Sequence, residues 1–278
     1  MIKIENAEVM GWEAALRGMR NPLNSWEKSD SKWCLIETPG TNPAAANDRY
    51  LREKYCIGND DLDLMTRLRK AGTDHRKFMR MITVYMDITA PLYWWKEFDT
   101  YKVGTVANSC STMHKIHEKE FTLDDFSHEH LTKFVPGQDL KGWTLEENDM
   151  ITLPNDLNYG YSSTGILRDI VIKALNFNRE RYLATKDKKY WWQMIQLLPS
   201  SYNQRRTVML NYEVLANMYR SRKDHKLDEW RTLCEWMKTL PYSELITGED
   251  KVVDAINEVG NVNPITADEI RKGEIKNG

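Results

Sequence analysis

Two segments carry the side chains best suited to chemistry. Leu198–Arg222 reads LPSSYNQRRTVMLNYEVLANMYRSR, and Thr89–Ser111 reads TAPLYWWKEFDTYKVGTVANSCS. Each is entered through a proline and sets amide, hydroxyl and cationic groups beside an apolar stripe. In the first, Pro199 breaks what precedes it, and Ser200, Ser201 or Asn203 can cap a new helix. Val208, Met209, Tyr212, Leu215, Ala216 and Tyr219 then recur at core-facing helical spacing, which predicts a helix over 203–222. Asn211 and Arg222 are eleven residues apart and project from one flank of that stripe. They stand roughly 16 Å apart along the axis. Asn217 lies on a different face. Arg205 and Arg206 fall in the first turn of this predicted helix, where exposed N–H groups favour an anion. A helix with polar donors along one edge of its buried face can line a ligand cleft. The alternative is a buried helix with a solvent-facing Asn and Arg.

Other constellations are weaker. His114 and His117 are spaced i, i+3 with Glu118 and Glu120 close by, and His128-Glu129-His130 follows. No H-E-x-x-H pattern accompanies them, so surface histidines are expected and no metal site. Neither G-x-G-x-x-G nor G-x-x-x-x-G-K-[ST] occurs, which argues against Rossmann and P-loop phosphate binding. Cys34, Cys56, Cys110 and Cys234 are widely spaced without a C-x-x-C pair, which fits reduced thiols in a cytoplasm. Cys110 is expected to be a small buried apolar residue.

The elements that must position these groups follow from periodicity. Ile2 and Ile4 suggest a short first strand, and a helix is expected near Trp12–Met19. Residues 20–58 hold Pro22, Pro39, Gly40, Pro43 and Gly58 and read as a long, irregular connection. Asp60–Ala71 is helical, with Gly72 where a C-cap belongs. Phe78–Thr89 switches to period two, with Ile82, Val84, Met86 and Ile88 on one face. Thr89 and Pro91 open a helix whose stripe is Leu92, Trp95 and Phe98. Residues 135–163 are loop-rich. Beyond them, helices are expected at about 164–185, 190–198, 203–222 and 228–239, and the run RSRKDHKLDE at 220–229 reads as a charged helix end and a loop. Thr247…Asp250 and Thr266…Glu269 resemble capping boxes of two short helices. Helices outnumber strands, so the class is α+β.

Composition excludes several functions. The chain has 278 residues, 39 basic against 41 acidic, for a net charge of −2. That balance gives no support for a nucleic-acid or anionic-membrane partner, since both need a clustered basic excess. The start lacks a basic region followed by an apolar run, so no signal peptide is expected, and no stretch reaches membrane-spanning length. Ten Trp and thirteen Tyr point to core and subunit contacts.

Together the two segments resemble the nucleotide- and flavin-binding segments of the flavin-dependent thymidylate synthases. The resemblance spans roughly residues 60–114 and 164–240 of a chain read as one domain over 1–278, with 241–278 a C-terminal extension. In that family a Leu-Pro precedes a helix with two flavin-contacting asparagines and an arginine that helps polarise the uracil ring. Measured without gaps from Pro199, these look like Asn211, Asn217 and Arg222. The other segment departs from the family. Aligned from Pro91, its Arg-His-Arg becomes Thr100, Tyr101 and Lys102, and its following serine looks like Thr105. With one residue inserted, the family's Asn and Ser are kept as Asn108 and Ser111, while its Glu becomes Ser109 and its Arg-Tyr becomes Met113-His114. A further arginine becomes Ile195. Charge-assisted hydrogen bonds contribute about 1.5–3 kcal/mol each, so losing two or three would weaken phosphate binding by several powers of ten. Lys96, Lys102, Lys115, Arg205 or Arg206 could compensate.

The resemblance implies an α+β fold, predominantly helical with a small antiparallel sheet, assembled as a homotetramer with FAD between subunits. It implies reductive methylation at C5 of dUMP or a related pyrimidine nucleotide. Methylene-tetrahydrofolate and NADPH would be the co-substrates, and reduced flavin rather than a protein nucleophile would deliver the reducing equivalent. Arg222 is the implied catalytic residue. Lys102, Thr105, Asn211 and Asn217 are the implied cofactor contacts, and Asn108, Ser109, Ser111, Arg205, Arg206 and Arg222 the implied substrate contacts. Two alternatives stay open: an inactive scaffold that only binds or sequesters a nucleotide, and an enzyme whose Arg205 and Arg206 hold a relocated phosphate.

Overall fold

The computed structural model describes residues 2–39, 49–132, 150–152 and 160–249. In chain order the elements are β1 (Lys3–Met10), α1 (Trp12–Arg20), β2 (Lys32–Pro39), β3 (Arg49–Cys56), α2 (Asn59–Lys70), β4 (Thr83–Pro91), α3 (Leu92–Phe98), β5 (Val106–Ser109), β6 (Met150–Thr152), β7 (Gly160–Ser162), α4 (Lys173–Thr185), α5 (Lys188–Leu197), β8 (Asn203–Asn211), α6 (Tyr212–Arg222), α7 (Asp228–Met237) and α8 (Glu244–Thr247). A turn at Ser163–Gly165 and a π-helical stretch at Ile166–Ile172 lead into α4. A four-stranded sheet has the order β1-β4-β8-β5, and β2-β3 and β6-β7 form two-stranded antiparallel sheets. The expected α+β class holds.

On β4 the alternation is realised as expected. Ile82, leading into it, with Val84, Met86 and Ile88, is at most 1% exposed. Residues 203–211 differ from expectation: they form β8, and the helix starts only at Tyr212. Gln204, Val208 and Leu210 are buried while Arg205 and Thr207 are exposed, so the period there is two. Val208 and Met209, counted together as one helical stripe, point to opposite faces. The reading of 20–58 is also corrected, because β2 and β3 pair across it from Lys32↔Cys56 to Pro39↔Arg49. Pro39, one of the residues read as a breaker, is the last residue of β2. Of the loop-rich reading of 135–163, only 150–152 and 160–163 are described, and there β6 and β7 pair antiparallel; Asp250 and the Thr266…Glu269 box lie outside the described residues. Thr247 ends α8 instead of starting a helix, with Gly248 in the left-handed region (φ +76°) as its cap.

The chain divides into two compact units. The first comprises Met1–Ala7, Tyr85–Met209 and Lys226–Thr232. One of its cores is built from Ile116, Phe121, Phe126, Leu167, Ile172, Leu175 and Met194, with Ile195 and Tyr202 packed against it. Another is aromatic: Trp94 lies 4.8 Å from Trp230, beside Trp95 and Phe98. Such pairs add about 0.5–1.5 kcal/mol beyond their buried area.

The second unit comprises Glu8–Val84, Leu210–His225 and Leu233–Gly278. Trp12 meets Tyr212 and Tyr242 edge-on at 5.2 and 5.1 Å. Asp61 is fully buried and accepts hydrogen bonds from Arg20 Nε (2.7 Å), Ser29 Oγ and Ser31 Oγ (both 2.6 Å), so its charge is satisfied. Gly11, at φ +93°, precedes α1, and a Cβ there would stand 2.2 Å from the Met81 carbonyl oxygen.

Candidate functional site

In the first unit the two segments singled out from the sequence meet. The Leu92 and Tyr93 N–H groups donate to the Tyr202 and Ser200 carbonyls, both at 3.0 Å. Those bonds satisfy donors that the start of α3 would otherwise leave orphaned. Trp95 Nε1 donates to the Gln204 carbonyl at 2.9 Å. Strand β5 pairs antiparallel with β8, so Asn108 faces Thr207 and Ser109 faces Arg206. Asn108, Ser109 and Lys102 are exposed. Thr105 is half-buried, and its Oγ1 is buried without a hydrogen-bond partner among the described residues. Ser111 Oγ accepts from the Met113 and His114 N–H groups and lies 2.8 Å from His114 Nδ1. Cys110 is exposed, not buried as expected: it follows directly on β5, an edge strand whose four residues are all exposed.

Arg205 and Arg206 are not at a helix N-terminus; they sit on β8. Arg205 donates to Asp87 Oδ2 at 2.7 Å, and Asp87 also accepts from Thr207 Oγ1 and Asn6 Nδ2. The Thr207, Asn6 and Arg205 bonds hold the Asp87 carboxyl well below the usual carboxylate range. Arg206 donates to Asp99 Oδ1 at 2.7 Å and to Gln204 Oε1 at 3.0 Å, with its guanidinium 4.2 Å above the Trp95 ring. Both guanidinium groups therefore have carboxylate partners that an incoming anion would have to displace.

In the second unit, Asn217 lines a cavity of about 410 Å³. Its other walls include Arg69 and Lys70 at the end of α2, Arg76 beyond Gly72, and Arg220 and Lys223 at the end of α6. No Asp or Glu is among the lining residues. Arg69 is anchored to the Leu245 and Ile246 carbonyls at 2.9 and 3.2 Å. Arg76 Nη2 and Arg220 Nη2 both donate to Asn217 Oδ1 at 3.4 Å. Behind them Glu213, 8% exposed, accepts from Arg76 Nε at 3.2 Å and from Arg80 Nε. Burial works to raise the Glu213 carboxyl, but the two arginines outweigh it and the net shift is downward. Burial, then repulsion from Arg76 and Arg220, lowers the Arg69 pKa. The cations at this cavity therefore repel one another.

The remaining candidates lie on α6. Asn211 is its N-cap, 9% exposed, with Oδ1 accepting from the Val214 N–H at 3.0 Å. Arg222 is its last residue and is half-buried. Ile195, in place of a family arginine, packs on the apolar core of the first unit. The structure thus groups Asn217 with cations that the sequence reading passed over. A signal was present in two basic helix ends, RLRK at 67–70, whose charge went unremarked, and RSRK at 220–223, read only as part of a charged helix end and a loop. Among the described residues no cluster of His, Cys, Asp and Glu could hold a metal. Among the described residues no helix is long and apolar enough to cross a membrane.

The fold these elements define is that of the flavin-dependent thymidylate synthases. The chain is similar to the structure of Thymidylate Synthase X (ThyX) from Helicobacter pylori with FAD and dUMP, with a TM-score of 0.54 and 15% identity, covering 90% of this chain and 98% of that one. A second structure of the flavin-dependent synthase from Helicobacter pylori, complexed with FAD and dUMP, gives a TM-score of 0.53 at 15% identity, covering 89% and 98%. No protein-family model and no curated protein matches the sequence.

Proposed function

We propose that this chain is a divergent relative of the flavin-dependent thymidylate synthases that binds FAD and a pyrimidine nucleotide and methylates dUMP, or a related nucleotide, reductively at C5. The observation that carries the reading is Asn217, a flavin contact by resemblance, lining a cationic cavity in a fold of this type. The residues fit an anionic dinucleotide: guanidinium groups are the best phosphate donors among side chains, and this cavity offers them without a lining carboxylate. Reduced flavin, when bound, would supply the reducing equivalent, with methylene-tetrahydrofolate and NADPH as co-substrates. Asn211, Asn217, Lys102 and Thr105 would contact the cofactor. Arg222 would polarise the pyrimidine ring, and Asn108, Ser109 and Ser111 would bind the nucleotide, in a homotetramer within the cytoplasm.

A second reading has its own support. Thr100 and Tyr101 stand where the family has Arg and His, and Arg205 and Arg206 are held by Asp87 and Asp99. Both observations favour a scaffold that binds a nucleotide without turnover. The visible spectrum of the purified protein separates the two readings. Bound flavin, together with tritium release from C5-labelled dUMP that Arg222→Ala abolishes, is the expected result. A colourless protein that takes up no added FAD but binds dUMP would leave only the scaffold.

A further inference from the structure

The cationic cavity contains a preset donor array. Asn217 Oδ1 is the shared acceptor for Arg76 and Arg220, and that fixes the orientation of its amide. Its NH2 group has no hydrogen-bond partner among the described residues, so it is the end left to donate. Arg76 is held on the other side by Glu213, which is itself gripped by Arg80, so its planar fork is oriented before any ligand arrives. Arg69 is locked to the α8 carbonyls. Lys223, the C-cap residue just past the end of α6, adds an exposed point charge.

We propose that Arg69, Arg76, Asn217, Arg220 and Lys223 form a binding site for a diphosphate group. Four convergent cations outnumber the charge of one carboxylate and suit a group bearing two to three negative charges. Several non-bridging oxygens also suit donors that approach from α2, from the segment after Gly72 and from α6. Resting on the flavin reading, the diphosphate is the one carried by FAD.

The test is calorimetric titration of the full chain with inorganic pyrophosphate, with glutarate as the carboxylate control. Saturable pyrophosphate binding is expected, at least tenfold tighter than glutarate, with affinity falling as salt rises. Arg220→Gln/Lys223→Gln should weaken it tenfold or more at unchanged circular dichroism, since both side chains are exposed. Arg168→Gln, an exposed residue paired with Asp169, should leave it unchanged. Pyrophosphate should also displace FAD but not riboflavin, which lacks phosphate. Pyrophosphate binding no tighter than glutarate, or full affinity in the double variant, would overturn the assignment even if FAD binds. Pyrophosphate binding that the double variant loses, in a protein that takes up no flavin, supports the site and removes the flavin reading instead.

Discussion

At the scale of single residues, the decisive charges are the buried ones. Glu213 separates Arg76 from Arg80, and Arg76 is 12% exposed at its side chain. Removing one partner of a buried pair leaves the other uncompensated, at about 3–5 kcal/mol. Glu213→Ala is therefore expected to lose about 3 kcal/mol in urea unfolding, with Glu213→Gln losing less because it keeps an acceptor. Asp61 and Glu213 both have lowered pKa values: burial opposes ionisation in each, but hydrogen bonds from Ser29, Ser31 and Arg20, or from Arg80 and Arg76, prevail. A depressed carboxyl stabilises the fold fully above its unfolded pKa, about 4. That stability is lost as pH falls through the folded value. The melting temperature should hold above about pH 5 and drop below pH 4, and Asp61→Asn should flatten the drop. Thiol chemistry is similarly local. Burial pushes Cys234 up to about 11, and burial with a Cys34 contact does the same for Cys56, whereas Cys110, just past the edge strand β5, is exposed. Cys110 should be the first thiol modified by a disulfide reagent at pH 8, with Cys110→Ser removing the fast phase.

At the scale of elements, α6 depends on its first residue. The Asn211 side chain caps Val214 N–H, so Asn211→Ala should cost about 1 kcal/mol and Asn211→Ser should recover most of it, read from chemical denaturation. The same residue shows how far sequence carried. The distance from Pro199 picked out Asn211, Asn217 and Arg222 as candidates, but apolar spacing extended the predicted helix back to Asn203, where the chain is a strand. Val208 and Met209 fit both periods, and only pairing on either side, with β4 and β5, selects the strand. Strand β4 was legible because Ile82, Val84, Met86 and Ile88 alternate with polar residues over a long run. The β2-β3 pairing was not: the side chains described there, 32–36 and 51–56, are exposed or half-buried, so no apolar face marks it. Burial likewise decided Cys110, because edge position is a property of the sheet order and not of neighbours in sequence. The cavity cations escaped because convergence of two basic helix ends depends on tertiary packing.

At the scale of the whole molecule, a net charge of −2 conceals a strongly positive hollow. Long-range attraction of anions is therefore modest and short-range recognition dominates. The hollow has a further consequence for the stamina of the fold. Arg69, Arg76 and Arg220 are held against their own repulsion, so a multivalent anion that settles among them should act as a clasp. At matched ionic strength, the unfolding midpoint should climb with phosphate concentration relative to chloride, following RT ln(1 + [L]/Kd). The Arg220→Gln/Lys223→Gln protein should show a much shallower climb. Storage buffer would then set the apparent robustness of the protein, and a thermal scan in chloride alone would understate it.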